Sequence, residues 1–242
     1  MSHTSAAVLH GIPMLRPDLS TVHFTAATAG KRSAHGITHQ AELEDSEVIV
    51  LNDMRATAPA RTVCDHARLG TLEQAVCVID SDLHLGIERC EIDQQVTRLR
   101  RHHGAPTLRA ALALADGRAE SIGETVSRLV LADDPLIPEP ELQVPIWIDL
   151  DGGRQVYGDF GWRDESGTLR LVGEFDGRVK YHRSSPFSDQ LPEDVLFAEK
   201  LREDAIRATG PHVVRWIWAD SMRPKILHAK LESALRYVGL LR

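Results

Sequence analysis

Three runs of strand-forming residues follow one another with very little between them: Leu142 to Leu150, Gln155 to Trp162 and Thr168 to Asp176. The connectors are the turn-formers Asp151-Gly152-Gly153 and Asp164-Glu165-Ser166-Gly167. Links this short fold each strand back beside the last. A helix precedes the three strands, opened by Ser121-Ile122-Gly123-Glu124, with Val126, Leu129 and Val130 on one side; the stretch from Asp134 to Pro140 ends it. After them a helix from about Glu193 to Ala208 stops at Gly210-Pro211, Val213 to Trp218 reads as an apolar strand, and Pro224 to Leu240 as a last helix. The order α-β-β-β-α-β-α predicts an α/β domain with a central mixed sheet over 119–242.

The first half reads differently. Thr21 to Thr25, Gly36 to Ala41 and Glu47 to Leu51 are short strand-like runs, broken by Gly30, Gly36 and Asn52-Asp53. Helices follow: one capped by Thr57 with Pro59 in its first turn and stopping at Gly70, one capped by Thr71, one from Glu88 to His103 and one from Pro106 to Ala115. The expectation is a mainly helical α+β domain over 1–118.

Composition narrows the function classes. At 242 residues, 43% hydrophobic and 26% charged, the chain has the balance of an ordinary globular protein, and no apolar run approaches the roughly 18 residues of a membrane span. No membrane partner and a cytoplasmic location are expected. Cys64, Cys77 and Cys90 are odd in number, without a C-x-x-C, and are expected to be buried thiols. A net charge of -7 argues against a surface that coats nucleic acid throughout, though not against a nuclease. The excess is -2 up to Arg118 and -5 beyond it, as carboxylates clustered around a divalent cation, or a solvated acidic surface, would produce.

Alternate side chains on a strand share a face, so in Val172-Gly173-Glu174-Phe175-Asp176 the two acids project together and Phe175 points the other way. Like charges on an otherwise apolar strand repel and lose solvation unless a cation or donors compensate, and Mg²⁺ or Mn²⁺ is the economical candidate. Folding the previous strand back brings Asp159 opposite, or one diagonal from, Glu174. Three carboxylates then converge. Surface pairing of Glu174 with Arg170 or Lys180 is the bland alternative. Arg215, in Val214-Arg215-Trp216-Ile217-Trp218, interrupts an apolar strand and needs an acid or phosphate partner, which a place beside the carboxylates would supply. Trp216 and Trp218 are expected on the core face.

On these residues the chain resembles the PD-(D/E)XK nuclease superfamily, in particular the very-short-patch-repair endonuclease-like branch. The resemblance covers about 119–242 and rests on Glu124, Gly158-Asp159-Phe160-Gly161-Trp162, Val172-Gly173-Glu174-Phe175-Asp176-Gly177, Glu199-Lys200-Leu201-Arg202-Glu203-Asp204 and Val213-Val214-Arg215-Trp216. It implies a restriction-endonuclease-like α-β-β-β-α-β core and an endonuclease that hydrolyses phosphodiester bonds of nucleic acid, DNA in the first instance, with a metal-activated water. Asp159, Glu174 and Asp176 would hold the cation, with Glu124 as a further ligand, and Lys200, Arg202 and Arg215 would meet phosphate. Asp176 stands where the usual motif has a lysine. Either it is a third ligand, with Lys180 or Lys200 supplying the positive charge, or the site is catalytically degenerate. Glu124 could instead pair with Arg128 within its helix, and Lys200 with Asp204.

Residues 1–118 resemble the body of AbiEi-family antitoxin-like proteins of actinobacteria, through Ser2 to Pro13 and Thr57-Ala58-Pro59-Ala60-Arg61-Thr62-Val63-Cys64-Asp65-His66-Ala67. The winged helix that usually opens such proteins is expected to be absent. This resemblance implies a second function class, a non-catalytic antitoxin-like or DNA-binding regulator that keeps the nuclease fold as a scaffold, with a cognate toxin or other protein as partner. His35 and His39 are expected in a solvated loop, and the basic cluster Arg98, Arg100, Arg101, His102 and His103 at a helix C-terminus.

Overall fold

The structure is a computed structural model that describes residues 1–149, 152–177 and 192–242, with 192–199 as backbone only. Its chain divides into two units, Met1–Thr125 and Val126–Arg242, the division falling within one helix.

In the C-terminal unit the turn-formers do what short connectors require. β6 (Glu141–Ile148), β7 (Arg154–Arg163) and β8 (Leu169–Asp176) form an antiparallel meander. A longer crossover through α7 (Pro192–Ala208) brings β9 (His212–Ile217) alongside β8 in parallel, giving the mixed order β6-β7-β8-β9. The protein is therefore mixed α/β.

Each face of this sheet has its own cover. On one face Val144, Ile146, Ile148, Val172 and Val213 form a buried aliphatic cluster with Ile206 of α7. The other carries aromatic rings: Trp216 lies 5.1 Å from Phe160 and donates its indole N–H to Ser127 Oγ on α6 (Ile122–Ala132) at 2.7 Å. Glycine at 173 is what lets that indole lie on the strand, because a Cβ there would fall 2.6 Å from the Trp216 ring. Trp218 lies beyond the end of β9. It opens the short helix α8 (Trp218–Ser221), half-buried, and meets Phe175 edge-on at 5.2 Å, because the strand ends at Ile217. The chain closes with α9 (Pro224–Tyr237).

The N-terminal unit begins with α1 (His3–His10), which the sequence reading left without an element, and Gly11 ends it in a left-handed conformation. β1 (Val22–Ala26), β2 (Lys31–Arg32) and β3 (Gly36–Gln40) make a small sheet with β3 central, parallel to β1 and antiparallel to β2. Asn52-Asp53 is a hairpin turn, both residues at positive φ (48° and 62°), as a two-residue turn of primed type requires. It joins β4 (Val48–Leu51) to β5 (Met54–Thr57), so Thr57 closes a strand rather than capping α2 (Pro59–Ala67). Thr71 does cap α3 (Leu72–His84), in a capping box with Gln74. α4 (Arg89–Arg98) is shorter than expected, and α5 (Ala105–Leu114) follows. Cys64 and Cys77 are buried, whereas Cys90 is exposed on the first turn of α4.

Candidate functional site

Glu174 is the centre of the C-terminal constellation, 7% exposed near the end of β8. Arginines hold both of its oxygens: Arg202 Nη1 from α7 donates to Oε1 at 3.1 Å, and Arg215 Nε from β9 donates to Oε2 at 2.8 Å. The parallel register sets Arg215 directly beside Glu174. Arg215 also reaches Glu203 Oε2 at 2.9 Å, Glu203 holds Arg207 at 2.5 Å, and Arg202 donates to the Tyr157 carbonyl at 2.6 Å. The arginine side chains keep about 30% of their surface in solvent. The result is an alternating lattice of acids and guanidiniums with an open edge.

The other expected site residues are placed as follows. Asp159 Oδ2 accepts the Phe175 backbone N–H at 2.7 Å, so this carboxylate ties β7 to β8. Asp176 ends β8, half-buried, on the same strand face as Glu174. Glu124 acts at the start of α6: it accepts the Glu120 N–H at 2.9 Å and the Ser121 hydroxyl at 2.7 Å, while Ser121 Oγ accepts the Glu124 N–H at 3.2 Å. That is a capping-box arrangement, legible in Ser121-Ile122-Gly123-Glu124 as S-x-x-E. Lys200 is exposed on α7, and Lys180 lies outside the described residues.

A metal ion needs several ligand atoms aimed at one point. Among the described residues, Asp159, Glu174 and Asp176 do not bring three such atoms within 4.8 Å of one another. With guanidiniums on both oxygens of Glu174, the residues present do not fit Mg²⁺ or Mn²⁺ in this arrangement.

The set with that spacing lies in the N-terminal unit and consists of His3, His23 and His39. His39 is in β3, half-buried, not in a solvated loop. The parallel ladder pairs Thr25 with His39 and His23 with Ile37, so His23 and His39 are diagonal neighbours on one face, with His23 Nδ1 3.0 Å from His39 Nε2. Fully buried His3 stacks on His39 at 3.8 Å between ring centroids. Burial, then the neighbouring positive groups, pushes His3 and His39 below the usual imidazole range; for His23 burial dominates over the opposing charge of Asp18. Each of these shifts favours the neutral imidazole. No spacing rule flags these histidines, since a parallel strand pair and a helix start bring them together.

The quoted stretch Thr57 to Ala67 turns out to carry a sealed ion network. Arg61 donates to Asp65 at 2.8 Å and to Glu47 at 3.1 Å, and Arg68 donates to Asp65 at 3.0 Å, every one of these side chains at least nine-tenths buried. Burial works against both charges. For Glu47 the Glu44 N–H and Arg61 outweigh it and lower the carboxyl's pKa, and for Arg61 the charge of Asp65 outweighs it and raises the guanidinium's. In the basic cluster, Arg98 pairs with Glu44 at 2.6 Å, and the helix ends there before Arg100 to His103.

Among known proteins the chain is similar to two uncharacterized proteins, Rv2248 and MT2308, from two strains of Mycobacterium tuberculosis. It is 38% identical to each over 128 residues, which are 52% of this chain and 44% of each relative. The chain thus spans less than half the length of the curated relatives it matches. No protein-family model matches it, and no solved structure matches it significantly.

Proposed function

We propose that residues 119–242 form a nucleic-acid-binding module on a restriction-endonuclease-like frame, and that the chain acts as a non-catalytic, AbiEi-like antitoxin or DNA-binding regulator. The observation that carries this reading is the engagement of both Glu174 oxygens by Arg202 and Arg215. A carboxylate so held orients the guanidiniums rather than ligating a cation. Their partly exposed forks suit phosphate oxygens, which arginine recognises in bidentate fashion. The ion pairs join three guanidiniums, Arg202, Arg207 and Arg215, to two carboxylates, Glu174 and Glu203.

Metal-dependent endonuclease action is the second reading, favoured by the presence of Asp159 within β7 and of Glu174 and Asp176 at the end of the adjacent β8. It requires the guanidiniums to leave Glu174. One pair of assays separates the two: fluorescence anisotropy with duplex DNA, single-stranded DNA and RNA in EDTA, and cleavage of plasmid and single-stranded substrates with Mg²⁺ or Mn²⁺. Metal-free binding that weakens in Arg202→Ala and Arg215→Ala, without cleavage, is the expected result. Metal-dependent cleavage abolished by Asp159→Ala and Glu174→Gln would replace it with the hydrolase reading.

A further inference from the structure

We propose that His3, His23 and His39 form a three-histidine site for a late first-row divalent cation, zinc first among them. One nitrogen from each ring lies within 4.8 Å of the others. The 3.0 Å between His23 Nδ1 and His39 Nε2 is close to the separation of two nitrogens that each sit about 2.0–2.1 Å from a shared zinc ion. In the metal-free pair one nitrogen must donate to the other. A tautomer shift that moves this proton to the far nitrogen of its own ring frees both lone pairs without changing any charge.

The surroundings are built to hold these rings. His3 Nδ1 lies 2.9 Å from Ser2 Oγ, the outer contact that fixes a ligating imidazole and leaves Nε2 for the cation. The Ser2 N–H donates to the His23 carbonyl at 2.9 Å, and the His23 N–H to Ser5 Oγ at 2.9 Å, so the start of α1 is stitched to β1 on both sides of His23. His3 sits at φ 51°, a left-handed conformation that a non-glycine residue keeps only where its surroundings enforce it.

Among the described residues, two buried polar atoms nearby find no hydrogen-bond partner. One is Thr25 Oγ1, opposite His39 in the ladder; the other is Nε2 of His66, nine-tenths buried, whose Nδ1 lies 3.0 Å from Thr4 Oγ1. His66 is near enough to His23 for a charge on one to disfavour a charge on the other. The opposing feature is Arg68, with Nη2 3.4 Å from His3 Nε2. That contact is long, and Arg68 keeps Asp65 at 3.0 Å and the His103 carbonyl at 3.3 Å when a cation displaces it. Neutral imidazoles select Zn²⁺, Co²⁺, Ni²⁺ and Cu²⁺ over the oxygen-seeking Mg²⁺ and Mn²⁺. The site is thus independent of the carboxylates on β8.

The test is titration of the tag-free full chain with Zn²⁺ by calorimetry and with Co²⁺ by visible absorption. One equivalent should bind, with intense cobalt bands of four- or five-coordinate geometry and a zinc-dependent rise in the unfolding midpoint. His23→Gln and His39→Gln should each weaken zinc binding at least tenfold and remove the rise. Should either variant misfold by circular dichroism, protection of the wild-type histidines from diethyl pyrocarbonate by one equivalent of zinc, mapped to His3, His23 and His39, supplies the same answer. Absence of stoichiometric binding, zinc affinity unchanged in the folded double variant, or protection mapping to other histidines would overturn the proposal.

Discussion

Each unit contains a chain of alternating acids and guanidiniums, and the two chains differ mainly in their access to water. Glu47, Arg61, Asp65 and Arg68 are sealed, none of these side chains being more than 7% exposed. Glu174, Arg215, Glu203 and Arg202 run from 9% at the glutamate to about 30% at the arginines. The same chemistry therefore serves two ends. In the sealed network the charges depend on one another and on a few backbone groups in place of water, and removing one leaves its partners desolvated. In the open network the guanidiniums are held from beneath by carboxylates and keep about 30% of their surface in solvent.

The sharpest way to break this contrast is Arg61→Met. It removes the guanidinium that Glu47 and Asp65 share, leaving two buried acids with Arg68 as the buried guanidinium beside Asp65, and should destabilise the protein by about 3–5 kcal/mol in urea unfolding. Arg215→Met should cost only about 1 kcal/mol, since water screens its pair. Equal losses would erase the distinction.

Asp82 extends the comparison to an acid that meets no guanidinium among the described residues. Its buried Oδ2 finds no hydrogen-bond partner among them, and burial, helped by the charge of Glu91, raises its pKa to about 7. The folded chain then keeps a proton that the unfolded chain releases above about pH 4. The stability tied to this group is complete below that pH, declines as pH rises to 7 and is flat beyond. Asp82→Asn should accordingly be neutral at pH 4 and stabilising by on the order of 2–4 kcal/mol at pH 8, read as unfolding midpoints across that range. A mutational effect independent of pH would show that Asp82 is ionised in the fold.

Smaller effects belong to the open network. On the proposed DNA-binding reading, Arg202→Ala and Arg215→Ala should each lower DNA affinity about tenfold and reduce the slope of log K against log salt by about 1, because each would remove one phosphate contact. Smallest of all, raising salt from about 0.05 to 0.5 M should change the contribution of the Arg202–Glu174 pair by a few tenths of a kcal/mol and leave that of Arg61 untouched. Double-mutant cycles at the two ionic strengths measure both.

The order of elements in the second half was legible because alternation and turn-formers report on neighbours in sequence. Glu174 and Asp176 share a face by the period of a strand, and an arginine in the apolar run around Val214 implied the acid that Arg215 meets. What sequence could not give is the balance of charge around Glu174. Arg202 enters from a helix on the far side of a crossover, and only the folded register shows that it and Arg215 take separate oxygens of one carboxylate. His3, His23 and His39 were illegible for a related reason: a parallel pair of strands joins residues by a register that no local spacing encodes. Glu124 is the converse case, its capping contacts being legible in the local pattern S-x-x-E.

The parallel pairing of β9 with β8 also sets an order of events. β6, β7 and β8 are joined by short turns and can pair early, whereas β9 waits for residues 177–211 to close a much larger loop. Until that closure Glu174 lacks Arg215. Docking of β9 in this sheet is thus a charge neutralisation as well as a strand pairing, and a chain halted before it would present Glu174 on an open sheet edge without Arg215 beside it.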